Sequence, residues 1–292
     1  MNTIKPKVKL INHTQDAREL LLYTKFTRLS NENEDAMDII NSWSEERKQQ
    51  ELDYMLGTIE SSWEFLTYTF SISGVDRAFT HQLVRTRGEE KGEVSYAQQS
   101  QRTVSMEGFN FTTPNSLINN QDKLKFYLDS MQSINDSYQE LINSGVPVQD
   151  ARGLLPTAIE TSIIVKLDLR LLSHMMSERL CTRTQGLYQQ VAFMMRELVL
   201  QVHPWAEGFL NVFCVNKGIC RFENYHKCPI KSIMFDPNTG LLCKDNPEVP
   251  YEEKFDARSD KTRPANKSEI KSAWEKMNLN GGYEAIPDMQ KK

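Results

Sequence analysis

The sequence has few cysteines, little net charge and no long apolar run. Five cysteines in 292 residues do not suggest a scaffold held together by disulfides. The net charge of -4 gives no general attraction to nucleic acid or to a membrane surface. No run of about 18 apolar residues is present, so no membrane-spanning helix is predicted. These absences exclude the secreted mini-protein, membrane and general nucleic-acid-binding classes.

Two sequence signals are also missing. Residues 1–6 lack the apolar segment of a signal peptide, and together with the low cysteine content this leads us to expect a cytoplasmic protein. The Gly-x-Gly-x-x-Gly fingerprint of a Rossmann dinucleotide site does not occur. The chain is nevertheless long enough to bury a sizeable core.

Hydrophobic periodicity predicts several elements. Residues 65–72 could form a strand or a helix, residues 31–41 a loop that runs into a helix, and residues 108–120 a loop. After Pro250 the chain is charged and polar, and we expect it to be mobile or to wrap a partner subunit. The clearest predictions are a strand over residues 8–12 and helices over residues 16–29, 121–142, 168–181 and 185–202.

Arginines cluster after an apolar segment. Arg85 and Arg87 follow the apolar residues of 65–84, and the polar run 94–102 ends in Ser100-Gln101-Arg102. A guanidinium presents a rigid fork of donors that fits phosphate or carboxylate. A solvated surface is the ordinary interpretation of arginines, but a buried element that ends in two of them favours an anion site.

The segment 168–181 combines a capping residue, an apolar stripe and three basic side chains. Asp168 is a predicted N-cap. Arg179 shares the stripe of Leu172, Met175 and Met176, where an arginine is costly unless it is paired or faces a ligand. A structural ion pair and a ligand contact both remain open. Arg170 and His174 lie one turn apart on a neighbouring face.

Together these residues resemble the flavin-dependent thymidylate synthases. Their Arg-His-Arg, spacer and Ser-x-Arg signature is similar to Arg85-Thr86-Arg87 and Ser100-Gln101-Arg102, with a short insertion within residues 88–93. An alternative alignment that uses Ser95 would place Ala97 at the second arginine. Three further segments match in order over about residues 8–230: the opening strand at 9–14, the Ala-Arg and Leu-Pro segment at 150–156, and the helix carrying Asp168, Arg170, His174 and Arg179.

The resemblance implies an α+β fold with a mixed sheet and long helices, assembled as a homotetramer whose sites are shared between subunits. It implies a catalytic domain over residues 1–230, followed by a polar extension over residues 231–292 that we expect to be mobile. The implied reaction is reductive methylation of dUMP to dTMP. Methylenetetrahydrofolate supplies the carbon, NADPH the electrons and FAD the hydride. No active-site cysteine is required, and none occurs before Cys181.

The resemblance also implies residue roles. Arg179 would contact the pyrimidine ring and favour its ionised form, which is charge-pair pKa shifting. Arg152 would hold the nucleotide from a neighbouring subunit. The implied FAD contacts are Ser61, Arg85, Thr86, Arg87, Gln98, Asp168, Leu169, Arg170 and His174, and the implied nucleotide contacts are Gln82, Leu83, Val84, Arg85, Gln98, Gln99, Ser100, Gln101, Arg102, Arg152 and Arg179.

The sequence departs from the family pattern at four positions. Ile59, Phe65 and Thr86 stand where histidines are expected, and Asp168 replaces an asparagine. Imidazole exchanges protons near neutral pH, so its loss bears on the one-carbon step. Two alternatives therefore stay open. One is a related enzyme that methylates or hydroxymethylates dUMP or dCMP, and the other is an inactive nucleotide-binding homologue.

A second group of soft ligands lies near the C-terminus. Cys214, Cys220, Cys228 and His226, with Cys243 further on, could close a tetrahedral zinc site. Their spacing is not of the Cys-x-x-Cys type, and free reduced cysteines are the alternative. We expect no metal.

Overall fold

The computed structural model describes residues 3–26, 36–86, 92–104 and 106–217. The described residues fall into two compact units. The first unit lies within residues 1–37 and 61–171, and the second within residues 38–60 and 172–292. None of the described helices is long and apolar enough to cross a membrane.

The first unit is built on a four-stranded sheet with the order β1-β2-β4-β3. Strand β2 pairs with β1 on one side and with β4 on the other, and β3 forms the far edge beside β4. All three pairings are antiparallel. The strands are β1 (Lys7–His13), β2 (Thr67–Asp76), β3 (Val94–Gln98) and β4 (Glu160–Asp168).

Alternation along β2 explains why this sheet has one buried face. Tyr68, Phe70 and Ile72 are fully buried, while the Thr and Ser residues between them are partly exposed. Such alternation is typical of antiparallel sheets, whereas parallel strands read as continuous apolar runs. The expectation of a mixed sheet was wrong for the described strands, and the ambiguous segment 65–72 is a strand.

Five helices accompany this sheet in the described part of the first unit. The longest of them, α6 (Gln121–Asn143), is capped by Asn120, whose side chain accepts a hydrogen bond from the Lys123 N–H at 3.0 Å. Met131 and Tyr138 on its apolar side pack with Phe111 in a cluster of their own. It ends before Gly145, whose φ of 88° requires glycine. The helices are α1 (Ala17–Lys25), α4 (Arg77–Leu83), α5 (Asn115–Ile118), α6 (Gln121–Asn143) and α7 (Val148–Ala151), and α2 and α3 belong mainly to the second unit.

The second unit is helical over its described residues. Buried Arg196 on α9 donates to the Leu210 carbonyl at 2.8 Å and to the Asn211 side chain at 3.2 Å. These bonds satisfy a charge that would otherwise be costly to bury. The helices are α2 (Ala36–Asn41), α3 (Glu45–Thr58), α8 (Leu169–Arg179), α9 (Gly186–Val202) and α10 (Phe213–Lys217), with the first three residues of α8 belonging to the first unit.

Most predicted elements are confirmed, with different ends. The strand predicted over 8–12 and the helices predicted over 121–142, 168–181 and 185–202 all occur within one or two residues. Helix α1 ends at Lys25 with Phe26 as its C-cap, and residues 27–29 of its predicted span lie outside the described residues. The predicted loop 108–120 contains the short helix α5. The predicted extension 231–292 lies outside the described residues, so that prediction stands untested.

Candidate functional site

Helix α4 carries the chain from the sheet to the arginine motif. Asp76, the last residue of β2, caps α4 by accepting a hydrogen bond from the Phe79 N–H at 2.7 Å, and it also accepts one from the Thr112 hydroxyl. Phe79 and Leu83 are fully buried and fix the helix on the core. The buried segment thus delivers Arg85 and Thr86 at its end, as predicted, while Arg87 lies outside the described residues.

The residues of this segment that are predicted to bind a ligand differ in exposure. Arg85 is exposed, and its guanidinium makes no hydrogen bond or ion pair with any described residue. Gln82 and Val84 are half-buried. The Leu83 side chain is buried in the core, so a ligand could meet only its backbone.

Strand β3 is attached to α4 by side chains. The Gln98 amide donates to the Thr80 hydroxyl at 2.8 Å, and the Tyr96 hydroxyl donates to the Leu83 and Thr86 carbonyls. The sequence singled out Gln98 for its place in the motif. Thr80 and Tyr96 were missed because their partners are distant in sequence.

The Ser-x-Arg motif forms a turn immediately after β3. The Gln99 N–H donates to the Ser162 carbonyl at 3.0 Å, and the Ser100 hydroxyl accepts from the Arg102 N–H at 3.2 Å. Ser100 and Arg102 are exposed, whereas Gln99 and Gln101 are half-buried. Arg102 lines a cavity of about 220 Å³ whose wall includes Tyr138 of α6. The motif is therefore accessible to a ligand.

Arg77 is a candidate that the sequence interpretation missed. It is half-buried in the first turn of α4, and burial together with the positive charge of Arg152 lowers its pKa. The Ala78 N–H donates to the Thr157 carbonyl at 3.1 Å, which ties this turn to the segment that follows Arg152. A charged residue inside an otherwise apolar run was the available signal.

The described arginines of the first unit fall into two kinds. Arg18 and Arg170 are ion-paired with Glu19 and Glu64. The side chains of the second kind make no hydrogen bond or ion pair with any described residue, and these are Arg77, Arg85, Arg102 and Arg152. Arg77 and Arg152 are half-buried, and their positive charges repel each other. No described carboxylate pairs with either guanidinium, so the two are suited to an anionic group such as phosphate.

Asp168 joins two backbone segments. One carboxylate oxygen accepts from the Leu171 N–H at 2.8 Å, which confirms the predicted N-cap, and the other accepts from the Glu93 N–H. Gly92 has a φ of 110°, and a Cβ there would overlap this carboxylate. Burial raises the pKa of Asp168, while the two backbone hydrogen bonds oppose the shift. Both oxygens are therefore already engaged in holding the chain.

The other predicted flavin contacts of this unit are mixed in exposure. Ser61 is exposed and available. Leu169 is fully buried, and its N–H donates to the Leu66 carbonyl at 2.7 Å. The half-buried Arg170 pairs with Glu64, an orienting partner that the sequence did not indicate.

The second unit holds Arg179 and His174 on α8, both half-buried. The Arg179 guanidinium carbon lies 4.6 Å from the ring centroid of Tyr188, which is fully buried at the start of α9. The distance is that of a cation–π contact between the ring and the guanidinium. Its N–H donors form no hydrogen bond or ion pair with the described residues, so of the two alternatives for Arg179 the structural ion pair is not observed within them.

The positions that lack histidine have three different environments. Ile59 is buried, Phe65 is 62% exposed, and Thr86 is half-buried with its carbonyl bonded to Tyr96. No group of three or more His, Cys, Asp or Glu residues that could hold a metal occurs within the described ranges. Of the cysteine group, only Cys214 is described, and Cys220, Cys228, His226 and Cys243 lie outside.

Comparisons with known proteins agree with the motif. Residues 9–205 match the family model described as thymidylate synthase complementing protein. A flavin-dependent thymidylate synthase of Pyrococcus furiosus is 34% identical over 225 residues, covering 73% of this chain and 88% of that protein. One from Geobacter sulfurreducens is 40% identical over 147 residues, covering 50% of this chain and 61% of that protein.

A solved structure supports the fold. The UMP/dUMP methylase PolB from Streptomyces cacaoi, bound with 5-Br dUMP, matches with a TM-score of 0.60 and 17% identity over 73% of this chain and 99% of that one. The family model spans both the arginine motif and α8. The chain therefore belongs to the flavin-dependent thymidylate synthase family.

Proposed function

We propose that this protein catalyses the reductive methylation of dUMP to dTMP, with FAD as cofactor and with NADPH and methylenetetrahydrofolate as co-substrates. The observation that carries the proposal is a set of arginines whose side chains have no hydrogen bond or ion pair with the residues that the structure describes. Arg85, Arg102 and Arg152 occupy family motif positions, and the half-buried Arg77 accompanies Arg152. Family membership supplies the reaction, and the unpaired guanidiniums supply an anion site for the nucleotide.

The nucleotide phosphate is bound by guanidinium groups. Arg102 and Arg152 donate charge-assisted hydrogen bonds to it, and Arg77 adds a third donor group. Gln82, Gln98, Gln99, Ser100 and Gln101 offer uncharged donors and acceptors for the ribose and the base edge, and the backbone of Leu83 and Val84 completes the contact. Weak binding at high salt is expected because the phosphate contacts are ionic.

Arg179 is the catalytic residue of this proposal. A guanidinium beside a ring nitrogen stabilises the pyrimidine anion and lowers the pKa of that nitrogen. The Arg179 N–H donors have no hydrogen bond or ion pair with the described residues and are available for this purpose. Stabilising charge in a desolvated site is worth about 2.7–4 kcal/mol when one donor is removed from comparable enzymes.

The residues present fit a flavin dinucleotide. The exposed Arg85 side chain has no partner among the described residues and suits the diphosphate, together with Ser61, Thr86, Arg87 and Gln98. His174, Leu169 and the ion-paired Arg170 complete the proposed contacts, and Asp168 contributes by fixing the start of α8. When bound, FAD supplies the hydride that reduces the transferred carbon. A cytoplasmic homotetramer with sites shared between subunits, Arg152 reaching into a neighbour's site, belongs to the same proposal.

Product analysis tests the function. The purified protein is incubated with methylenetetrahydrofolate and NADPH and with either dUMP or dCMP, and the nucleotide products are identified by mass. We expect dTMP from dUMP and no change in dCMP. A protein that neither retains flavin nor alters either nucleotide would contradict the proposal and support an inactive nucleotide-binding homologue.

The lost histidines favour one second candidate, a related enzyme that methylates or hydroxymethylates dUMP or dCMP. Ile59, Phe65 and Thr86 offer no imidazole, so proton delivery near the carbon donor must come from water or from another group. The experiment compares the nucleotide products of the wild type with those of Thr86→His. A hydroxymethylated product from the wild type would favour the second candidate, whereas an ordinary yield of dTMP from both proteins would show that the departures are neutral.

A further inference from the structure

The Tyr96 hydroxyl connects strand β3 to the end of α4. It lies 2.9 Å from the Leu83 carbonyl oxygen and 2.8 Å from the Thr86 carbonyl oxygen, so one proton serves both acceptors. The last carbonyls of a helix have no partner within the helix. Tyr96 thus satisfies the C-terminal end of α4 from a neighbouring strand.

We propose that Tyr96 is a positioning residue that holds Arg85 in its binding orientation. Its two acceptors lie on either side of Arg85 in the chain, so the hydroxyl fixes the backbone before and after that residue. The inference rests on the proposed function, in which Arg85 contacts the nucleotide and the flavin.

Other contacts of Arg85 cannot supply this orientation. Its N–H donates to the Gln82 carbonyl at 3.3 Å, and the Thr86 N–H donates to the Leu83 carbonyl at 2.9 Å, both within the same short turn. The guanidinium has no hydrogen bond or ion pair to the described residues. The position and direction in which the side chain leaves the chain are therefore set by the backbone, and Tyr96 ties that backbone to the sheet.

A second contact on the same face of β3 helps to fix how the strand lies along α4. Gln98 lies two residues after Tyr96, and side chains two apart in a strand share a face. Its amide donates to Thr80, one turn before Leu83. Strand β3 therefore contacts α4 at its middle and at its C-terminal end, while Ser95 and Ala97 point to the exposed face. Gln98 is itself a proposed ligand, so Tyr96 is the contact that can be removed without altering a proposed ligand side chain.

The test compares Tyr96→Phe with Tyr127→Phe. Each variant loses only a hydroxyl, and Tyr127 is a matched control because it is half-buried and donates to the Thr112 carbonyl at 2.8 Å in the same unit. We expect Tyr96→Phe to raise the dissociation constants for dUMP and FAD about tenfold, equivalent to about 1.4 kcal/mol. Tyr127→Phe should leave both constants unchanged.

Limited trypsin digestion without ligands gives a readout that does not depend on function. Cleavage after Arg85 should be about fivefold faster in Tyr96→Phe, as expected when one hydrogen bond that opposes local opening is lost. Equal cleavage in wild type and variant would overturn the proposal. Faster cleavage with unchanged affinities would also overturn it, and so would equal effects of both variants. A thermal unfolding midpoint that Tyr96→Phe lowers far more than Tyr127→Phe does would overturn it as well. If the wild type binds neither dUMP nor FAD, the proposed function fails, and the digestion alone then decides whether Tyr96 holds the segment.

Discussion

Replacing Arg77 by glutamine should weaken nucleotide binding without destabilising the fold. Arg77 is half-buried, its pKa is lowered by burial and by Arg152, and no described residue pairs with it. Removing one of two like charges relieves repulsion in the free protein. The same change removes donors for the phosphate in the complex. Stability and affinity should therefore respond in opposite directions.

The size of the affinity loss follows from the kind of bond. A hydrogen bond to a charged group contributes about 1.5–3 kcal/mol. Since about 1.4 kcal/mol corresponds to a factor of ten, the dissociation constant for dUMP should rise between about tenfold and about 150-fold. The unfolding free energy should stay the same or rise slightly.

Isothermal titration with dUMP at two salt concentrations, combined with thermal unfolding, measures both effects. Arg18→Gln is the matched control, because Arg18 is an ion-paired arginine of the same unit whose guanidinium lies 2.9 Å from Glu19. The control should keep dUMP affinity and lose at most about 1 kcal/mol of stability. An unchanged dUMP affinity in Arg77→Gln, or a loss of stability without a loss of affinity, would refute the reasoning.

Three further outcomes are expected. The purified protein should take up FAD non-covalently, and a protein that gains no flavin absorbance on reconstitution would contradict the assignment of Arg85. Arg179→Ala should abolish turnover while the unfolding free energy falls by only about 0.5–2 kcal/mol from the lost cation–π contact with Tyr188; near-normal turnover would show that Arg179 is not catalytic. Burial raises the pKa of Asp168 above its ordinary value of about 3.9, so its contribution to stability is full below that pH and is lost as pH rises through the raised pKa. The difference in unfolding free energy between wild type and Asp168→Asn should therefore fall as pH rises through this window, and a constant difference would show that Asp168 does not titrate there.

The local sequence was sufficient to predict features that depend on a single helix or strand. The apolar spacing of α6 and the side-chain cap of Asp168 are properties of neighbouring residues, and both were predictable. The alternation of β2 was not decisive in the sequence, which left residues 65–72 as strand or helix, and the mixed sheet that the resemblance suggested is antiparallel in the described strands. The arginine motif indicated the family, which the comparisons confirm, because its residues are close in sequence.

Only the tertiary structure brought distant residues together. Arg77 and Arg152 lie 75 positions apart, and nothing in either local sequence shows that their charges interact. Tyr96 reaches α4, and Asp168 reaches Glu93, because the pairing of β3 with β4 fixes the registers of both strands. Sequence patterns indicate which face of an element is buried, whereas the partner of a polar side chain depends on strand register and on the path of the chain between elements. For that reason the sequence indicated which arginines of the motif are candidates for ligand binding, and the fold showed which residues lie beside them.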